Sequence, residues 1–106
     1  MFQKITLIEF MQKSKNGSTS LLFVKEQGCQ YCELAEAEIK KDEFFKNHLS
    51  VKLFEVSIND EPGIAAKLGL VGVPAFLKID GTGRKRIKTG FDSIESLTKF
   101  ISGKDK

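Results

Sequence analysis

Cys29 and Cys32 stand at a strand-to-helix junction, and this constrains the chain more than any other feature. They are the only cysteines in 106 residues, separated by Gln30 and Tyr31. Ser20 to Glu26 reads as a strand, and a helix-like run opens at the motif and continues to about Lys41. A helix N-terminus presents unpaired backbone N–H groups and the positive end of the macrodipole. Both favour a thiolate, so the pKa of Cys29 should fall. Two intervening residues let Cys32 reach back and close a disulfide. A pair held this way suits thiol chemistry better than a secreted disulfide framework, which uses more cysteines at wider spacing.

The apolar pattern around the motif is that of alternating strands and helices. Thr6-Leu7-Ile8-Glu9 reads as a capping box and starts a helix through about Lys15, with Gly17 as its stop. Leu21, Leu22, Phe23 and Val24 are too few for a helix and fit a strand buried on both faces. After the cysteine helix, Asp42 caps a further turn over Glu43 to His48. Val51, Leu53, Phe54, Val56 and Ile58 make a second strand. Asn59-Asp60-Glu61-Pro62 opens a short helix that ends at Gly69. Ala75 to Ile79 is a third strand, and Gly81-Thr82-Gly83 turns it into an antiparallel return over Arg84 to Thr89. Asp92-Ser93-Ile94-Glu95 caps a last helix to about Ser102, with Ile94, Leu97, Phe100 and Ile101 as its apolar stripe. The order α-β-α-β-α-β-β-α predicts an α/β fold: one mixed sheet with helices on both faces, as a single domain over residues 1–106.

Composition removes several classes. The length suffices for a core without staples. No stretch approaches the ~18 apolar residues of a membrane span, so no membrane insertion is expected. Met1 to Lys15 lacks the charged, apolar and small-residue order of an export signal. As written the chain is expected in the cytoplasm, or in the periplasm if a signal has been removed. The net charge of +3 is mild. The basic run Arg84, Lys85, Arg86 and Lys88 has no aromatic stacking set beside it, so nucleic acid is not expected as a partner. Alternation puts Arg84, Arg86 and Lys88 on one strand face, opposite Ile87, and the run reads as a solvated strand that resists edge pairing.

C-x-x-C after a central strand, Gly72-Val73-Pro74 about 40 residues on, then a hairpin, Gly90 and a closing helix together resemble the thioredoxin superfamily. The resemblance covers roughly Ser18 to Ile101. It implies a cis-proline at Pro74 facing the disulfide, and a Val73 backbone that pairs with a bound substrate strand. An X-Pro bond adopts the cis form at a cost of only about 0.5–1 kcal/mol. The chain departs from thioredoxin itself. Gly28 replaces the tryptophan before the first cysteine, Gln30-Tyr31 replaces Gly-Pro, and Phe23 stands where thioredoxin buries an acid. The resemblance implies a thioredoxin-like protein with a Cys-Gln-Tyr-Cys motif.

Site assignments follow from the motif and the resemblance. Cys29 is the candidate nucleophile, exposed at the helix start. Cys32, one turn inside, is the candidate buried resolving thiol. Gln30 and Tyr31 tune the pair and contact substrate beside Val73 and Pro74. Glu26, or Glu33 after Cys32, is a candidate proton carrier in place of the absent buried acid. Metal is not expected, because zinc needs four ligands and only His48 could join the cysteines. No cofactor is expected beyond the redox-active disulfide. The implied function is thiol–disulfide exchange with a disulfide-containing or dithiol protein, in the reducing direction. An external reductase or a membrane dithiol would supply electrons, and a monomer suffices. Two rivals stay open: a glutathione-dependent reductase of glutaredoxin type, and a non-catalytic binding module holding a partner or an inter-chain metal.

Overall fold

The computed structural model describes residues 2–14, 17–42 and 50–103. Its elements run β1 (Gln3–Lys4), α1 (Leu7–Lys13), β2 (Thr19–Lys25), α2 (Gln30–Lys41), β3 (Val51–Ser57), α3 (Ile64–Leu68), β4 (Ala75–Ile79), β5 (Lys85–Thr89) and α4 (Ile94–Ser102). The strands form one five-stranded sheet in the order β1-β3-β2-β4-β5. β1, β3 and β2 are parallel, and β4 and β5 return antiparallel. This is the mixed α/β sheet expected from the sequence.

β2 is central because its apolar run satisfies both faces. Leu22 and Val24 point to one side with Leu7 and Phe10 of α1 and Ile64 of α3. Leu21 and Phe23 point to the other with Ala35 and Ile39 of α2 and Leu97, Phe100 and Ile101 of α4. Phe23 is fully buried and stacks on Phe76, its partner across the β2–β4 ladder, with ring centroids 5.1 Å apart. Burial of one such side chain contributes roughly 1.5–3 kcal/mol. The position at which thioredoxin carries an acid is therefore part of the hydrophobic core.

Local signals hold where a side chain makes its own bond. The α1 capping box forms: Thr6 Oγ1 accepts from Glu9 N at 3.1 Å, and Thr6 N donates to Glu9 Oε1 at 3.0 Å. α1 ends at Lys13. Ser93 caps α4 by accepting from Ser96 N at 3.1 Å. Gly69 closes α3 in the left-handed region, φ 69°.

Four expectations need correction or placing. β1 escapes the sequence pattern because both its side chains are exposed and only its backbone pairs with Phe54 and Glu55. α3 starts at Ile64, with Gly63 as a cap that makes no side-chain bond. The polar groups before it are committed elsewhere: Glu61 Oε1 accepts from Leu7 N at 2.9 Å, and Asn59 Oδ1 accepts from Gln27 N at 2.7 Å. The basic run is not simply a solvated strand. Arg86 and Lys88 lie on the face covered by α4, half-buried, with the Arg86 guanidinium 5.4 Å from the Phe100 ring centre, whereas Ile87 on the other face is 43% exposed. The extra turn over Glu43 to His48, and Lys15, lie outside the described residues. Among the described residues no helix is long and apolar enough to cross a membrane.

Candidate functional site

The site forms where β2 delivers the chain to α2. Lys25 ends the strand, and the backbone turns through exposed Glu26, Gln27 and Gly28. Cys29 N donates to Glu26 O at 3.2 Å, closing the turn. Gly28 sits at φ 82°, in the left-handed region that a side chain disfavours. Cys29 is the N-cap of α2. Its Sγ accepts from Cys32 N at 3.1 Å, and its carbonyl accepts from Glu33 N at 3.1 Å. The sulfur thus takes the role that Ser or Asp fills at ordinary caps, receiving an N–H that the helix cannot pair internally. A negative charge on that sulfur would be stabilised by the same donor and by the macrodipole.

Cys29 and Cys32 are joined as a disulfide, with Cα atoms 5.2 Å apart. Their environments differ sharply. Cys32 is 2% exposed and sits in the core beneath α2, whereas Cys29 packs on that core with part of its surface open. Val73 packs against the same cluster, so the pair and the Val73–Pro74 segment share one apolar floor. The Val73–Pro74 peptide is cis, Pro74 is buried, and Pro74 O accepts from Gly90 N at 2.7 Å. Gln30 and Tyr31 point outward, with Tyr31 69% exposed, and Leu34, one turn further on, is 52% exposed. Cys29, Cys32 and Val73 thus belong to one apolar cluster, while Gln30 and Tyr31 are exposed in the first turn of α2.

On the other side of α2 lies a cleft of about 320 Å³ whose lining includes Cys32, Glu26, Glu33, Glu36 and Lys25. Glu26 and Glu33 are exposed members of that lining. The buried end holds an ion cluster that the sequence reading did not anticipate. Lys25 Nζ lies 3.3 Å from Glu36 Oε1 and 3.3 Å from Glu55 Oε1. Lys40 Nζ reaches Glu36 Oε2 at 3.0 Å. Burial acts to raise the pKa of Glu36, but the bonds from Lys40 and Lys25 outweigh it and hold the carboxyl below its ordinary value. Burial acts to lower Lys25, and the two carboxylates outweigh that and raise it. One signal was available in advance: Cys32, Glu36 and Lys40 recur every four residues along one side of α2. The Lys25–Glu55 contact joins two strands and had no local signal. Among the described residues no group of three or more His, Cys, Asp or Glu could hold a metal ion. His48 is outside those residues.

No family model and no curated protein matches the chain. Solved structures do. Mitochondrial thioredoxin 3 from Saccharomyces cerevisiae, in its oxidised form, superposes with a TM-score of 0.80 at 19% identity, covering 96% of this chain and 94% of that one. Thioredoxin f from spinach chloroplast gives 0.78 at 20% identity, covering 97% and 92%. The thioredoxin of Malassezia sympodialis gives 0.77 at 18% identity, covering 97% and 90%. The chain therefore has the thioredoxin fold, with a C-x-x-C pair at the start of α2.

Proposed function

We propose that the protein is a thiol–disulfide oxidoreductase that exchanges the Cys29–Cys32 dithiol and disulfide with protein partners, in the reducing direction. One observation carries the reading. Cys29 is a helix N-cap whose sulfur accepts a backbone N–H at 3.1 Å, while its disulfide partner Cys32 is 2% exposed. That asymmetry makes one sulfur reachable and thiolate-prone, and keeps the other for an intramolecular step.

In the reduced protein, the Cys29 thiolate attacks one sulfur of a substrate disulfide. A mixed disulfide forms and the other substrate sulfur leaves as a thiolate, taking a proton from solvent. Cys32 loses its proton to the cleft, where the exposed Glu26 and Glu33 offer carboxylates, and attacks the Cys29 sulfur. The second substrate thiol leaves. Two electrons and two protons have passed to the substrate, and the protein carries the Cys29–Cys32 disulfide. The Val73 backbone aligns the substrate chain beside Pro74, and Gln30 and Tyr31 contact it at the rim. The disulfide itself is the redox group, and an external reductase or a membrane dithiol restores the thiols.

Trapping tests the chemistry. Cys32→Ser should accumulate mixed disulfides with partner proteins, and Cys29→Ser should trap none and lose activity. A Cys32→Ser protein that captures nothing from a disulfide-containing extract counts against exchange. The direction is tested by the equilibrium reduction potential of the pair in defined redox buffers. A value near about −270 mV supports a reductant, and one above the glutathione range reverses the assigned direction.

A further inference from the structure

We propose that Asn59 is a positioning residue for Cys29, acting through the loop that delivers the nucleophile to the helix. The inference deepens the exchange reading and rests on it. Four residues, 26–29, separate the end of β2 from the first residue of α2. Three of them are exposed. The loop has one side-chain anchor from a distant part of the described chain: Gln27 N donates to Asn59 Oδ1 at 2.7 Å across 32 positions.

The anchor is itself fixed. Asn59 Oδ1 also accepts from Ser57 Oγ at 3.0 Å, and Asn59 N donates to the same hydroxyl at 3.1 Å. Ser57 is the last residue of β3 and pairs in register with Lys25, the last residue of β2. Its carbonyl accepts from Asp60 N at 3.0 Å and Glu61 N at 3.1 Å. Asn59 is thus a strut from the rigid end of the sheet to the residue two before Cys29. The direction in which the chain leaves Gln27 and turns at Gly28 decides where the Cys29 sulfur stands relative to Cys32 N, the donor that favours the thiolate.

A merely structural role predicts a different result. The Gln27–Asn59 bond is exposed, so water can replace the lost acceptor with little loss of stability. The position of the Cys29 sulfur has no such substitute. The test is the pH profile of iodoacetamide alkylation of Cys29 in the reduced protein, measured beside thermal unfolding. Asn59→Ala should alkylate roughly three- to tenfold more slowly at neutral pH, with its midpoint displaced upward, while its melting temperature stays near that of the wild type. Asn59→Asp keeps an acceptor but adds a carboxylate to the cleft, so it should regain the wild-type limiting rate at alkaline pH. Should Asn59→Ala fail to fold, Ser57→Ala carries the same test, because it removes only the hydroxyl that steadies Asn59. A wild-type profile in the alanine variants overturns the strut alone. So does an equal fall in Asn59→Ala and Asn59→Asp accompanied by lost stability. A wild-type Cys29 that titrates as an ordinary thiol overturns the exchange reading as well.

Discussion

Lys25 and Lys78 rise from the same face of the sheet, towards its two ends, and are satisfied in opposite ways. Lys25 closes β2 beside the cleft and lies between Glu36 and Glu55. Lys78 stands opposite Leu21 on β4, 5% exposed, and donates to the carbonyls of Phe100 at 3.0 Å and Ile101 at 3.3 Å. It also lies 5.6 Å from the Phe100 ring centre. Those carbonyls belong to the last turn of α4, where helix geometry leaves acceptors unpaired. One lysine is thus part of a charge network next to the cysteines, and the other is a clamp on the closing helix. The same side chain on the same face serves electrostatics at one end of the sheet and backbone satisfaction at the other. Its acceptors decide which.

Lys78→Met separates the two most strongly. The substitution keeps apolar bulk but leaves the Ile101 carbonyl without its donor and the Phe100 carbonyl with only Gly103 N, which should cost about 2–3 kcal/mol. In a domain of this size that lowers the melting temperature by roughly 15 °C. The Cys29–Cys32 potential should not move. A melting temperature within a few degrees of wild type would mean that the α4 end does not depend on the clamp. Lys25→Met should cost less, about 2 kcal/mol, because Glu36 keeps Lys40 and only the buried Glu55 is left without its cation. Unlike Lys78→Met, it should slow exchange, since the cleft beside Cys32 becomes more negative and loss of the Cys32 proton is opposed. An unchanged rate would detach the ion cluster from the chemistry.

Acid separates the two lysines further. The Glu36 carboxyl is held below its ordinary value of 4.5 in the folded protein. Its contribution to stability is present above that value and is lost as pH falls through the lower, folded pKa. Lys25 is raised above 10.5, so its contribution is present below that value and is lost as pH rises through the folded one. Between these limits the cluster is intact. The stability difference between wild type and Lys25→Met should therefore shrink as pH falls below 4.5, while that between wild type and Lys78→Met should stay flat. Unfolding curves at several pH values check this, and parallel acid dependence in the two variants would erase the distinction.

The same contrast explains how much could be read from the sequence. Leu21 to Val24, the α1 capping box, Gly69 and the α4 stripe were legible because each is a local pattern with a local cause. The motif and its place at the start of α2 were legible for the same reason, whereas the cis bond at Val73–Pro74 was expected only through the resemblance to a family. Lys78 was not, because a lysine in an apolar strand carries no local sign of two carbonyls 22 and 23 residues away. Nor was the role of Asn59, whose position before Pro62 fits a helix start as well as it fits a strut. β1 was missed because a two-residue backbone pairing leaves no side-chain pattern. In each case the missing information was the tertiary partner, not the chemistry of the residue.

A third lysine on that face sets the lower bound of the comparison. Lys88 pairs across the ladder with Phe76, and its side chain is 18% exposed. Its ion-pair partner Asp92 lies 3.7 Å away and is 82% exposed. Here the cation is covered but its partner is not. Water competes for the carboxylate, and the geometry is long for a charge-assisted hydrogen bond. Asp92→Asn should therefore change stability by no more than about 0.5 kcal/mol, and added salt should not widen the difference. Denaturant melts at low and high ionic strength measure this. A larger, salt-sensitive loss would mean that cover over the lysine alone sets the strength of the pair. The ordering would then become Lys78, Lys88, Lys25, following exposure of the cation instead of the nature and enclosure of its acceptors.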